Sequence, residues 1–276
     1  MPEVRVIIPE DLDRALDGLI KAGFAGNKAE LARAAITHFL STIPTQLPKG
    51  YDLETAFSPD GRIFQLEYAM ESMKRGGTIV GVCCDDGVAL AKELPKEDAF
   101  MVLPNPFVQT FNIGENIGIV YCGILTDCYF IVEEARKIVE SLEEAVSIED
   151  LVKKLALFMQ PYAQRKDIRP FAAALIIGGL DLENRPRLFL LNSAGLAHEY
   201  KACHVGIGSD ETKEILKTGY KQKLKLEDAV ALAARAALRE PRKPENVLLA
   251  VVDTKTKRFR EISLEEKEKI WNKIFP

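Results

Sequence analysis

The side chains able to act as nucleophiles or metal ligands are five cysteines, Cys83, Cys84, Cys122, Cys128 and Cys203, and three histidines, His38, His198 and His204. A zinc site needs closely spaced ligands, such as Cys-x-x-Cys or a cysteine with a nearby histidine, because they must converge on one atom. There is no Cys-x-x-Cys pair and no histidine at a spacing suited to zinc, so no metal site is expected. Cys83 and Cys84 are neighbours, which in a strand point to opposite faces, so they suit small buried side chains better than a reactive pair. The histidines stand in no context that suggests a triad. No phosphate-cradling glycine loop or dinucleotide fingerprint occurs, so no small-molecule cofactor is implied. A different chemistry is offered near the start, where Arg5 and Lys28 are candidates for a contact with DNA or phosphate. Residues 1–50, however, balance six Lys or Arg against six Asp or Glu. A DNA-binding module is normally basic, so that contact is the less expected use of the segment.

The elements that must position these residues fall into two sections. In residues 1–43, Val4, Val6 and Ile8 alternate as one face of a short strand, and Pro9 opens a helix with Leu12, Leu16, Leu19 and Ile20 on one side. After Gly23 and Gly26, Asn27 with Glu30 three residues on forms a capping box for a second helix, whose Leu31, Ala35, Phe39 and Leu40 share a face. So short a strand-helix-helix unit buries too little apolar surface alone, and pairing of two copies through the strand is expected. Alternation turns Glu3, Arg5 and Ile7 the other way; a glutamate repels phosphate and an isoleucine offers a base edge no hydrogen bond. Residues 44–50, with Pro44 and Pro48, read as an extended linker.

Beyond residue 51, apolar runs at Thr78–Cys83, Val88–Ala91, Ile117–Cys122, Ala172–Ile177, Leu188–Leu191 and Val247–Val252 predict strands. Helical spacing covers Thr126–Leu142, Ile148–Gln164, Asp210–Leu224 and Leu226–Leu238. Ser263 and Glu266 box the start of a last helix, in which the charged run 265–269 reads as a solvated face. Strands in pairs, then helices, then strands favour a layered α+β domain. With 276 residues, 47% of them hydrophobic, and a net charge of −4, the chain suffices for one sizeable core and a small appendage. No uncharged apolar stretch reaches membrane-spanning length, and Glu3, Arg5, Glu10 and Asp11 interrupt any signal-peptide centre. The expected compartment is the cytoplasm, with no membrane partner.

The second section also carries an ordered series of motifs. It runs from Tyr51-Asp52 through Ser58-Pro59-Asp60-Gly61-Arg62 and Glu67-Tyr68-Ala69 to Arg169-Pro170-Phe171. It continues with Pro186-Arg187-Leu188-Phe189, Glu199-Tyr200-Lys201-Ala202 and Gly206-Ile207-Gly208. In order and spacing the series resembles archaeal-type proteasome α subunits over residues 51–276. The resemblance implies the N-terminal-nucleophile hydrolase fold, a four-layer α-β-β-α sandwich. Residues 27–36, NKAELARAAI, resemble the start of the second helix of ribbon-helix-helix repressors, which implies an obligate dimer with paired strands.

For catalytic relatives of the first family, the resemblance implies a threonine freed as the N-terminus, with a lysine about thirty-two residues on and an acid between, since a hydroxyl nucleophile needs an adjacent base. Here those places fall on Gly77, Gln109 and Glu93, and the accompanying GxG serine on Ile207. Thr78, one residue along, has no free amine and should face away as part of a strand. The chain is therefore expected not to be an enzyme. In α-type relatives Tyr51, Asp52, Pro59 and Tyr68 match a cluster that holds the channel gate open, but Leu53 replaces the usual arginine. Gln109 also replaces the lysine that neutralises the carboxylate of a docking regulator tail, so docking should be weak, because charge-assisted hydrogen bonds are the stronger ones. The expectation is a non-catalytic structural or assembly component of a proteasome-like core particle. It would be dimerised through its N-terminal unit, and seven-membered rings and β subunits are the partners the resemblance implies. The alternatives are a DNA-binding transcriptional regulator, with the proteasome-like domain as oligomeriser or sensor, and a hydrolase that uses Thr78 or a cysteine after processing.

Overall fold

The computed structural model describes residues 7–42, 56–94, 110–141, 147–238 and 243–275. The chain divides into two compact units, Met1–Gly50 and Tyr51–Pro276. In the first, α1 (Glu10–Lys21) and α2 (Lys28–Thr42) form a helical pair. Pro9 is the extended residue before α1, and Glu10, Asp11 and Asp13 place acid in its first turn, where the helix dipole favours it. Gly23, at φ +83°, then lets the chain turn back, with Gly23 N–H donating to Ile20 and Phe24 N–H to Leu19. At the start of α2, Glu30 N–H donates to Asn27 Oδ1 at 2.9 Å. The Glu30 carboxylate returns the bond to Gly26 N–H instead of Asn27, so the cap is reciprocal one residue earlier than expected.

No residue of α1 is buried, and Leu12 and Leu19 are 48% and 41% exposed. The expected strand does not extend over Ile8: Ile7–Pro9 are irregular, for a strand exists only when paired and one chain supplies no partner. Val4, Val6, Glu3 and Arg5 lie outside the described residues, as do the side chains of Phe39 and Leu40 and the whole of the linker 44–50.

The second unit opens with α3 (Phe64–Lys74) and stacks two five-stranded antiparallel sheets. One is built from β1 (Ile79–Cys84), β2 (Gly87–Glu93), β8 (Ala202–Val205), β9 (Val247–Asp253) and β10 (Arg258–Glu261), in the order β10-β9-β2-β1-β8. The other runs β3 (Phe111–Asn112), β4 (Ile117–Gly123), β5 (Ala173–Leu180), β6 (Pro186–Leu191) and β7 (Ala197–Glu199) in sequence order. Alternation splits the strand residues between two cores. Ile79, Val88, Leu90, Val120, Ile176 and Leu188 meet between the sheets. Val80, Val82, Ala89, Ala91 and Val251 face the helical layer of α6 (Ser209–Gly219), α7 (Leu226–Ala237) and α8 (Leu264–Ile274).

On the far side, Ile119, Tyr121, Leu175 and Ile177 pack under α4 (Leu125–Glu140) and α5 (Ile148–Gln164). The layers are thus helix, sheet, sheet, helix. Cys83 and Cys84 do point to opposite faces, one toward the inter-sheet core and one toward α7. The run 265–269 is not wholly solvated: Lys267 is buried, and its ammonium donates to the carbonyls of Pro244 and Val247 at 2.9 and 2.8 Å.

Candidate functional site

The stretch between α3 and β1 is where a nucleophile would have to stand, and its backbone is crowded by glycines. A Cβ on Gly76 would fall 2.2 Å from Gly123 N, and one on Gly206 would fall 2.3 Å from Gly77 O. Gly77 has φ +89°, a conformation L side chains avoid. The adjacent hydroxyl, Thr78, precedes β1 and is 1% exposed, with Oγ1 donating to the Ile207 carbonyl at 3.2 Å. Its own carbonyl accepts from Glu93 N–H at 2.8 Å. The structure therefore brings Gly77, Thr78, Glu93 and Ile207 together. Gln109 lies outside the described residues.

Sequence reasoning missed Lys92. It sits inside β2 beside Glu93, 4% exposed, with its ammonium 3.2 Å from the centre of the Tyr121 ring. Burial pulls its pKa down to about 8, and only the thiols of Cys128 and Cys122 counter that pull. Cys122 Sγ in turn contacts the carbonyls of Met73 and Gly77, each at 3.0 Å. Burial pushes the Cys122 and Cys84 thiols up to about 11 and the Cys83 thiol up to about 12, and it raises Cys128 and Cys203 as well. Thiols so placed are poor nucleophiles at neutral pH. The signal for Lys92 was there in a single charged residue at an inward-facing position, Ala-Leu-Ala-Lys-Glu, at the end of an apolar run.

Of the gate-like residues, Tyr51 and Asp52 lie outside the described residues. Pro59 occupies a tight turn closed by Gly61 N–H donating to Ser58 O and by Ser58 N–H donating to Arg62 O, both at 2.8 Å. Ser58 Oγ also donates to Asp60, whose carboxyl it holds below the usual range. Arg62 grips Glu67 with two nitrogens and stacks on Phe64, tying the turn to α3. Tyr68, on that helix, is half exposed and stacks with Phe64. Further along, Arg169 chelates Asp127 at 2.6 and 2.7 Å, and Asp127 also accepts from Ala172 N–H. Burial alone would raise the Asp127 carboxyl, but these bonds hold it down. They anchor α4 to the start of β5.

In the N-terminal unit Lys28 is already engaged, its ammonium 2.6 Å from Asp13 and 2.9 Å from Asp17. Two of its three donors are thus spent on carboxylates before any phosphate arrives.

Known proteins match the chain over most of its length. The family model for proteasome subunits matches residues 73–252, and the model for the N-terminal signature of A-type proteasome subunits matches residues 51–71. The proteasome alpha subunit of Thermococcus sibiricus is 36% identical over 234 residues, covering 82% of this chain and 88% of that protein. Those of Pyrococcus horikoshii and Methanocaldococcus jannaschii are 35% and 34% identical, covering 85% and 82% of this chain and 91% and 89% of theirs.

Proposed function

The chain belongs to the proteasome subunit family, with the α-type signature at residues 51–71, and from that premise we propose that it is a non-catalytic α-type subunit of a proteasome-like particle. Residues 51–276 form the α-type domain, residues 44–50 a tether, and residues 1–43 a ribbon-helix-helix dimerisation unit. The observation that carries the absence of catalysis is Gly77. It stands in the nucleophile's register at φ +89°, and its hydroxyl neighbour Thr78 is buried and spends its proton on the Ile207 carbonyl. A nucleophile needs exposure and an adjacent base. Thr78 lacks the first, and without removal of the residues before it no terminal amine supplies the second.

Dimerisation is supported by α1, whose apolar residues Leu12 and Leu19 stay exposed within the single chain. Ring formation and contact with β subunits follow from the family as its partners. The engagement of Lys28 by Asp13 and Asp17 weighs against the reading in which the N-terminal unit grips DNA.

Purified protein is expected not to cleave fluorogenic peptides and to keep its unprocessed mass. Turnover that is lost in Thr78→Ala overturns the reading.

A further inference from the structure

We propose that the cleft between strand β8 and helix α6 binds a small molecule carrying a phosphate or carboxylate group beside an apolar or aromatic portion. The cleft has a volume of about 520 Å³, within the range of small-ligand sites. Its apolar lining comes from Leu190, Ala202, Cys203 and Leu216, of which Cys203 and Leu216 are buried. β8 is the last strand of its sheet, so one side of it is left to the cleft.

The charged part of the lining holds three lysines, Lys201, Lys213 and Lys217, and one aspartate, Asp210. Asp210, Lys213 and Lys217 follow one another at steps of three and four along α6 and therefore share a face, and Tyr220 stands just past the helix end. Lys201 and His204 approach from β8 and the residue before it. Lys217 is paired with Glu214 at 2.8 Å. Among the described residues, Lys201 and Lys213 form no ion pair, and both are exposed. Even with Asp210 in the lining and Lys217 paired, Lys201 and Lys213 give this apolar hollow an excess of positive charge in a chain of net charge −4. Concave sites of one sign concentrate the oppositely charged ligand.

His204 adds an independent sign. Its Nδ1 is buried without a hydrogen-bond partner, a state native structures seldom leave unexplained. Burial and then the nearby Lys213 charge lower its pKa against an opposing pull from Asp210, and an anion that neutralised Lys213 would relieve part of that shift. The Tyr220 ring is held in place, its hydroxyl donating to Cys83 O at 3.2 Å, and with Tyr200 it offers an aromatic flank to the ligand's apolar part.

The cleft and the site around Gly77 are tested separately, since the hydrolysis assay does not read anion binding. The probe is phenyl phosphate, titrated calorimetrically into the full chain, with inorganic phosphate and benzoate in parallel. Saturable binding of phenyl phosphate or benzoate is expected, tighter than that of inorganic phosphate and weakened by salt; whichever of the two binds more tightly names the acid group. The double variant Lys201→Ala/Lys213→Ala, at two exposed positions, is expected to lose affinity about tenfold or more, as removal of charge-assisted bonds does. His204→Leu is expected to weaken binding while leaving thermal stability without ligand unchanged or raised, because an unpaired buried atom has been removed. The absence of saturable binding, or full binding in the double variant, overturns the site.

Discussion

Gly77→Thr is expected not to create a protease. A threonine there is strained at φ +89°, and its Cβ would come 3.2 Å from the Glu93 carbonyl. The proposed absence of catalysis then rests on the backbone as well as on the side chain. Lys92, next to Glu93, is costly to keep. A lysine 4% exposed with its pKa lowered to about 8 folds at the expense of its charge. Below pH 8 both folded and unfolded chains carry the proton, and the full penalty applies. Between pH 8 and the ordinary lysine value only the unfolded chain binds it, so stability rises with pH across that window. Lys92→Met, close in volume and uncharged, is therefore expected to stabilise the protein at pH 7 by on the order of 1–3 kcal/mol, the contact with Tyr121 offsetting part of the gain. In urea unfolding the advantage should shrink toward pH 10. A variant less stable than the parent at pH 7 would show that the ammonium on the Tyr121 ring outweighs its burial.

Capping decides where α8 begins. Ser263 Oγ accepts from Glu266 N–H at 3.2 Å, and the Glu266 carboxylate accepts from Ser263 N–H at 3.1 Å. Arg260 holds the same carboxylate, and the helix then seats Ile274, with Ile270 and Trp271, against the core under α7. Ser263→Ala is expected to lower unfolding stability by about 1 kcal/mol, measured in urea; no change would mean that Arg260 alone orders Glu266. This box is legible in the sequence because its two residues sit at a fixed spacing before an amphipathic run. The strands from Ile79 to Cys84 and from Ile117 to Gly123 are legible for a similar reason, being short β-branched runs between turn residues. The apolar run of β2 ends at Ala91, where a buried lysine breaks it, although the strand continues to Glu93. β7 and β10, Ala-His-Glu and Arg-Phe-Arg-Glu, give no signal, since outer strands exposed to water need no apolar run. Apolar spacing predicts α6 as far as Leu224, but the helix stops at Gly219, where Tyr220 turns extended; Leu224 is buried from a turn, so its burial mimics helical spacing. α3 is hidden inside residues recognisable only as a motif. The candidate site is proposed from the sequence as a register in which Gly77 takes the nucleophile's place while Glu93 keeps the acidic one. The cleft beside β8 is not, because it gathers Lys201, His204 and Lys213 from separate elements.

At the scale of the whole molecule, the dimerisation unit proposed for residues 1–43 and the rings the family implies would make competing demands on symmetry. A ribbon-helix-helix pair is two-fold, whereas those rings have an odd number of members, so pairing inside one ring would leave a unit unmatched. Closure would be recovered if the proposed strands paired between rings, with residues 44–50 as the proposed tether, or if the chain stopped at a dimer and closed no ring. Either arrangement would place the contact on the segment around Val4 and Val6. The exposure of Leu12 and Leu19 on α1 fits a surface completed by a second copy. Proline at position 6 would remove a backbone donor from the proposed pairing, in which each strand has only one partner. Val6→Pro is therefore expected to halve the particle mass in light scattering, whichever assembly forms, while the domain of residues 51–276 keeps its circular dichroism. An unchanged mass with the fold intact would take the N-terminal unit out of the assembly, and its exposed α1 face would then need an occupant other than a second copy of this chain.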